Sequence, residues 1–358
     1  MLDAISLVTG CSIAPFNARG THDWGVPARP DMRRRITELV CSVEAFSKAA
    51  QMPVTVDRDI FTRRAALLGL PPAGETSANG KCRMVRAQDG WLAVNLPRAT
   101  DLDLLPAWLD SDAWDQIESA ARTTSRNILV DRARLLGLAA APVAEALNPS
   151  RLIARMATPN REPRARPRVI DLSSLWAGPL CGSLLADADA EVIKVESEGR
   201  PDGARTGSPE FFARLNGKKH LVSVEPQRDQ NLLRELFATA DVVIESARPR
   251  VLAQWGFSLP EIFTANPSLT WVSITAYGRT PERANWVGFG DDVAAAAGLV
   301  TENEGHPEFI GDAIADPLAG LTAAAATFAC RAAGGGFLVD ANLYGAASFV
   351  ANGQRPIP

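Results

Sequence analysis

Two places in this 358-residue chain carry residue types that could do chemistry. The first is the run Ser173-Ser174-Leu175-Trp176-Ala177-Gly178-Pro179, set between an apolar strand (Val169, Ile170, Leu172) and an amphipathic stretch reaching Asp187. A small-residue loop ahead of a helix lets a ligand approach the backbone, and a helix N-terminus favours anions. The same residues also describe a well-packed turn, because the spacing is neither GxGxxG nor a P-loop, and local sequence leaves both readings open. The second place is Asp316-Pro317 before an alanine-rich run ending at Ala332. Here local sequence predicts an N-cap carboxylate followed by proline at N1. Asp312, four residues earlier, and the pair Asp291-Asp292 add further carboxylates, for which turn and cap chemistry suffices.

Other chemistries find little support. Five cysteines (Cys11, Cys41, Cys82, Cys181, Cys330) have no CxxC or Cys/His spacing, so neither a disulfide framework nor a metal site is expected, and buried reduced thiols are. The only histidines are His22, His220 and His306. A net charge of −4 argues against a nucleic-acid surface, and Met32-Arg33-Arg34-Arg35 reads as a solvated helix end. Apolar residues at 46% and charged residues at 22% fit a globular protein. With no apolar run of 18 residues and no basic n-region, the expectation is a cytoplasmic protein with no membrane partner.

The elements that must position these residues fall into two groups. The first 30 residues, broken by Gly10, Pro15, Gly20 and Pro27 to Pro30, read as an irregular arm. Apolar residues Ile36, Leu39, Val40, Val43 and Phe46 predict a helix over 31–51, with a shorter one over 62–70. CRMVRA and WLAVNL predict a hairpin turning at Asp89-Gly90, followed by helices over 102–109, 111–122 and 125–136. Residues 1–158 thus read as a small α+β domain. The run PNREPRARP over 159–167 reads as an exposed linker with solvated arginines. From 168 to 358, strands at 169–172, 192–195, 220–224, 241–244, 269–275 and 337–339 alternate with helices. The fold class is therefore α/β, a large domain with a Rossmann-like open parallel sheet and right-handed crossovers.

The second half resembles family III CoA-transferases, the group that includes formyl-CoA and carnitine CoA-transferases and the α-methylacyl-CoA racemases. The carrying segments are RVIDLSSLWAGPLCGSLLADADAEVIKVE from Arg168, FARLNGKKHLVSV from Phe212, ADVVIE from Ala240 with Arg248-Pro249, PSLTWVSITAYG from Pro267, AIADPLAGL from Ala313, and FLVDANL from Phe337. DGWLAVNLP from Asp89 and LGLAAAPV from Leu136 resemble the family's small domain, which normally follows the large one and here precedes it.

The resemblance implies a transferase moving CoA between an acyl-CoA and a carboxylic acid, without a permanently bound cofactor. It implies Asp316 as the nucleophile that becomes an aspartyl-CoA thioester. It implies a CoA site formed by Trp176, Ala177 and Gly178, by Val222 and Val224 beside the adenine, and by Ser246, Ala247, Arg248 and Arg250. Ser246 and Ala247 stand where the family has Asn and Phe, and Asp189 where it has Gly. Lys218 and Lys219 could reach phosphate, though an exposed lysine pair is the expectation. The racemase alternative needs a histidine where Gly288-Phe289-Gly290-Asp291 has none. Expected partners are a second copy in a homodimer, an interlocked one included, or a related chain in a heteromer. A non-catalytic subunit of such a complex is the remaining alternative.

Overall fold

The structure is a computed structural model that describes residues 1–11, 23–109, 114–148 and 150–351. His22 lies outside the described residues. Among the described residues twelve strands run in chain order: β1 Cys82–Ala87, β2 Gly90–Asn95, β3 Ala139–Pro142, β4 Ile153–Arg155, β5 Arg168–Asp171, β6 Glu191–Ser197, β7 His220–Val224, β8 Val242–Glu245, β9 Thr270–Ser273, β10 Val300–Asn303, β11 His306–Phe309 and β12 Phe337–Asp340. Seven of them form one sheet in the order β4-β12-β9-β8-β5-β6-β7. Every neighbouring pair is parallel except β4 with β12. Helices cover both faces, so Val169-Ile170 and Val242-Val243-Ile244 are continuous buried runs. The chain leaves β5 for β6 and β7 on one side, then returns to β8 on the other. That reversal opens a crevice at the carboxyl ends of β5 and β8, where open α/β sheets bind ligands.

The helix Ala315–Ala332 is the core's main beam. Almost every residue in it is buried, packed by the helices Pro30–Ala49, Ala177–Asp187 and Leu343–Ala351. Its alanines and Gly320 permit this crowding: a Cβ at Gly320 would stand 2.7 Å from the Ala177 carbonyl oxygen and 2.9 Å from the Leu180 side chain. Helix Pro30–Ala49 presents the expected face, with Ile36, Leu39, Val40, Val43 and Phe46 all buried.

The first half is distributed differently from the sequence reading. Helix Pro30–Ala49 lies in the large sheet's helical layer, and β4 extends that sheet as an edge strand, so both belong physically to the large body. The irregular arm is overturned at its start by the helix Leu2–Thr9, which buries Ile5. Gly10, read as a breaker, ends that helix in the left-handed region at φ 70, the usual C-cap geometry. The arginines of the linker are not all solvated. Arg161 and Arg164 pair with Asp241 at 2.9 and 3.1 Å and fasten the segment to the end of β8's preceding loop. Cys11 and Cys41 are half-buried rather than buried.

The smaller body is the antiparallel sheet β1-β2-β3, whose first hairpin turns through Gln88-Asp89, one residue ahead of the expected Asp89-Gly90, so that Ala87 pairs with Gly90. Cys82, Met84, Trp91 and Ala93 pack across to Ala295, Val300 and Phe309. The β10–β11 hairpin, which the sequence reading lacks, turns through Glu304-Gly305, both with positive φ. Arg134 clamps the two bodies: it pairs with Glu145 at 2.6 Å and stacks 3.6 Å over the Trp286 ring. No helix among the described residues is long and apolar enough to cross a membrane.

Candidate active site

The two loops at the switch point meet. The Ser174 amide donates to Ser246 Oγ at 2.9 Å, joining the segment after β5 to the segment after β8. The small-residue run is packed, however. Trp176 is buried edge-on to Phe211, Ala177 and Gly178 are buried, and a Cβ at Gly178 would collide with Ser173. Of that run, Ser174 and Leu175 are exposed and remain within reach of a ligand. Val224 is buried in the apolar cluster with Leu233 and Phe237, while Val222 is half-buried beside it. Ser246, Ala247 and Arg248 are half-buried and Arg250 is exposed.

Beneath the first loop lies a buried ionic cluster. Lys219 Nζ donates to Asp171 Oδ2 at 2.7 Å, to the Pro179 carbonyl and to Asn216, so it is an internal strut rather than an exposed lysine. Lys218 is exposed and pairs with Asp187. Lys194, also buried, reaches Asp202 at 3.2 Å and the Ser173 carbonyl. Asp202 accepts from the Leu175 amide. Together these groups set the course of residues 172–176.

The second cluster surrounds Asp316. Residues Gly311 to Ile314 approach the helix in a tight turn with Gly311 at φ 67 and Ala313 at φ 44. The turn moves the cap to Ile314 and places Asp316 inside the first helical turn, which overturns the N-cap reading. No hydrogen bond from a described residue reaches the Asp316 carboxylate, and the residue keeps partial exposure. Gly290 lies against it: a Cβ there would run into Asp316 Oδ2 and the Ala313 carbonyl. Asp291 Oδ1 accepts from the Ala313 amide at 2.8 Å, and Asp292 Oδ1 accepts from Asn95 at 2.8 Å and from the Phe289 amide.

Burial dominates the acidity of this group. It pushes Asp316 up to about 7, opposed by Arg64 and reinforced by Asp291, Asp312 and Asp292. Asp291 and Asp292 are also raised to about 7, mainly by burial. Asp312 is raised by burial against the pull of Arg64, whose Nη1 donates to it at 2.5 Å. Arg64 lies in the short helix Arg63–Leu68 and rests 5.6 Å over the Trp176 ring. Sequence reasoning missed Arg64, Asn79 and Asn95, all distant in the chain from the residues they touch.

A cationic patch flanks the acids. Arg248 is destabilised as a cation by burial and by Arg250, Arg98 and Arg200. Arg98 comes from the small body, bonds Asp101, and lies 5.9 Å over the Phe289 ring, next to Gly290. A run of cations thus borders the carboxylate cluster, an arrangement suited to a ligand with polyanionic and electrophilic ends.

Comparison with known proteins gives the family of the second half of the chain. The model of CoA-transferase family III matches residues 166–355, from the residues ahead of β5 through the last helix. The chain is 32% identical over 194 residues to succinyl-CoA–D-citramalate CoA-transferase of Chloroflexus aurantiacus, covering 49% of this chain and 48% of that one. It is 34% identical over 182 residues to succinate–glutarate CoA-transferase of Agrobacterium fabrum, covering 46% of each. A solved hypothetical protein of Mycobacterium tuberculosis aligns with TM-score 0.47 and 31% identity over 53% of this chain and 57% of its own. The chain spans about half the length of the curated relatives it matches. With the family model covering more than half its residues, and the carboxylate-bearing helix within that match, the chain belongs to CoA-transferase family III.

Proposed function

We propose that the chain transfers CoA from an acyl-CoA to a carboxylic acid, with Asp316 as covalent nucleophile and no permanently bound cofactor. Ionised Asp316 attacks the thioester carbonyl, the C–S bond breaks, and an acyl-aspartyl anhydride forms with CoA thiolate released. The thiolate attacks the aspartyl carbonyl, releasing the donor acid and leaving aspartyl-CoA. The acceptor carboxylate then attacks the aspartyl carbonyl and again expels thiolate, which attacks the acceptor's acyl carbon and regenerates the Asp316 carboxylate. One thioester enters, one leaves, and no redox step occurs.

The observation that carries this reading is Asp316 itself: partly open, bonded by no described donor, and held near pKa 7 at a helix start. A carboxylate of raised basicity still ionises at neutral pH and is then a better nucleophile than a free one. The helix N-terminus favours thiolate as it departs. Arg248, Arg250, Arg98 and Arg200 suit the phosphates of CoA, with the Trp176 to Gly178 backbone, Ser246, Ala247 and the edge at Val222 bordering the same crevice. A racemase would need a histidine at this cluster; His220 and His306 are exposed, and His306 is engaged with Glu75. A second copy or a related chain is the proposed partner.

The test is to incubate the protein with succinyl-CoA and hydroxylamine. The expected result is a hydroxamate on Asp316, absent in Asp316→Asn. CoA binding without any adduct would replace the transferase reading with that of a non-catalytic subunit.

A further inference from the structure

An acid acceptor is an anion, and it must come to rest beside four aspartates, a place that repels it unless a cation receives it. Among the charged groups around Asp316, Arg64 acts on it most strongly, and it is a cation. Only its Nη1 is engaged, by Asp312 Oδ1, and its remaining N–H groups meet no acceptor among the described residues. The side chain keeps 22% exposure and lies over the Trp176 ring. Asp312 is the complementary half. Its side chain is 1% exposed, yet Oδ2 has no hydrogen-bond partner, so this carboxylate is only half satisfied by the contact it makes.

We propose that Arg64 is the seat for the acceptor's carboxylate, and that Asp312 is the internal carboxylate that occupies the seat until the acceptor arrives. This assignment rests on the transferase reading and extends it to the second substrate. The planar fork of Arg64 suits a two-point carboxylate contact, which a single bond to Asp312 leaves half used. Asp312, four residues ahead of Asp316 on the same turn, competes with the acceptor for the guanidinium. Docking the acceptor there brings a carboxylate oxygen toward Asp316, while Asp312, losing its one partner, takes up a proton from solvent so that the cluster gains no net charge.

The experiment measures KM for glutarate and for succinyl-CoA separately, together with hydroxylamine trapping at Asp316. Arg64→Gln is expected to raise KM for glutarate by about tenfold or more, well beyond its effect on KM for succinyl-CoA. Arg64→Lys, which keeps the charge but loses the fork, should recover only part of that affinity. Asp312→Asn removes the competitor's charge and is expected to lower KM for glutarate, a direction that a merely structural pairing would not produce. An unchanged glutarate KM in Arg64→Gln, or equal increases for both substrates, overturns the proposal. So does a raised glutarate KM in Asp312→Asn. If the native protein forms no adduct at Asp316, the transferase reading fails instead, and the two failures are told apart by that control.

Discussion

Two buried ionic clusters adjoin Trp176, and they differ in charge balance and in hydrogen bonding. Under the first loop, Asp171 and Asp202 face Lys194 and Lys219, and the carboxylates accept further bonds from backbone amides. Burial alone would raise Asp171, yet Lys219 and Lys194 outweigh it and hold the carboxyl below its ordinary value. Around Asp316, the Arg64 guanidinium opposes burial at Asp291, Asp312 and Asp316, a hydrogen bond from Asn95 opposes it at Asp292, and burial wins at each. Burial thus has opposite outcomes in the two clusters. A balanced cluster is a scaffold that fixes a loop, whereas an unbalanced one stores basicity at a carboxylate, the usual mark of a reactive site.

The strongest way to break this contrast is at the two central carboxylates. Asp316→Asn should lower CoA transfer by about 10³-fold or more while keeping or raising the melting temperature, since it removes a charge the fold disfavours. Turnover within tenfold of the native value would remove Asp316 from the chemistry. Lys219→Met attacks the other cluster by leaving Asp171 buried and unpaired, with an expected stability loss of about 3–5 kcal/mol in urea unfolding. A loss under 1 kcal/mol would mean that Lys219 is no strut.

The clusters should also respond to pH with opposite signs. Asp316, Asp291 and Asp292 bind protons more tightly in the fold than in the unfolded chain, so stability falls as pH rises from about 4 to 7 and levels off above that. Asp171 is stabilising above its unfolded value near 3.8 and loses that contribution only as pH falls further. Urea midpoints at pH 4.5, 6 and 8 should decline in that order and flatten in Asp316→Asn; a rising series contradicts the acid-cluster picture. Gly290→Ala sharpens the geometry, because the new Cβ meets the Asp316 carboxylate and the Ala313 carbonyl. It should destabilise by about 1–3 kcal/mol and depress turnover more than acyl-CoA binding. The smallest effect is expected from Arg248→Gln, with a rise of about tenfold or less in KM for acyl-CoA that fades at high salt, and no loss of stability.

Much of the sheet was legible because buried parallel strands are short apolar runs punctuated by helices, as at Val242 to Ile244. The small hairpin was legible from the Asp89-Gly90 pair, although its turn falls one residue earlier. Asp316 was visible as a carboxylate before a helix, but local chemistry pointed to a cap. The turn at Gly311 to Ala313 shifts the cap to Ile314, and no local signal marks that shift. The burial of Lys219 was hidden for another reason: its partner Asp171 lies 48 residues away, and a lysine at a strand entry ordinarily faces water. Arg64 sits in a six-residue helix among other arginines and carries no periodic signal at all.

The cluster's contacts span large distances along the chain: Arg64 to Asp312 is 248 residues, Asn79 to Asp291 is 212, and Asn95 to Asp292 is 197. Such contacts close long loops, and they form late because their ordering entropy must be met before they return any energy. The same is true of Arg134 gripping Trp286. A nascent chain could therefore hold its parallel sheet, and bury Asp171 beneath Lys219, before the cluster around Asp316 gains Arg64, Asn79 and Asn95. Acquisition of the reactive carboxylate would then be a late event in folding, and refolded protein should regain secondary structure before it regains any capacity to be trapped by hydroxylamine.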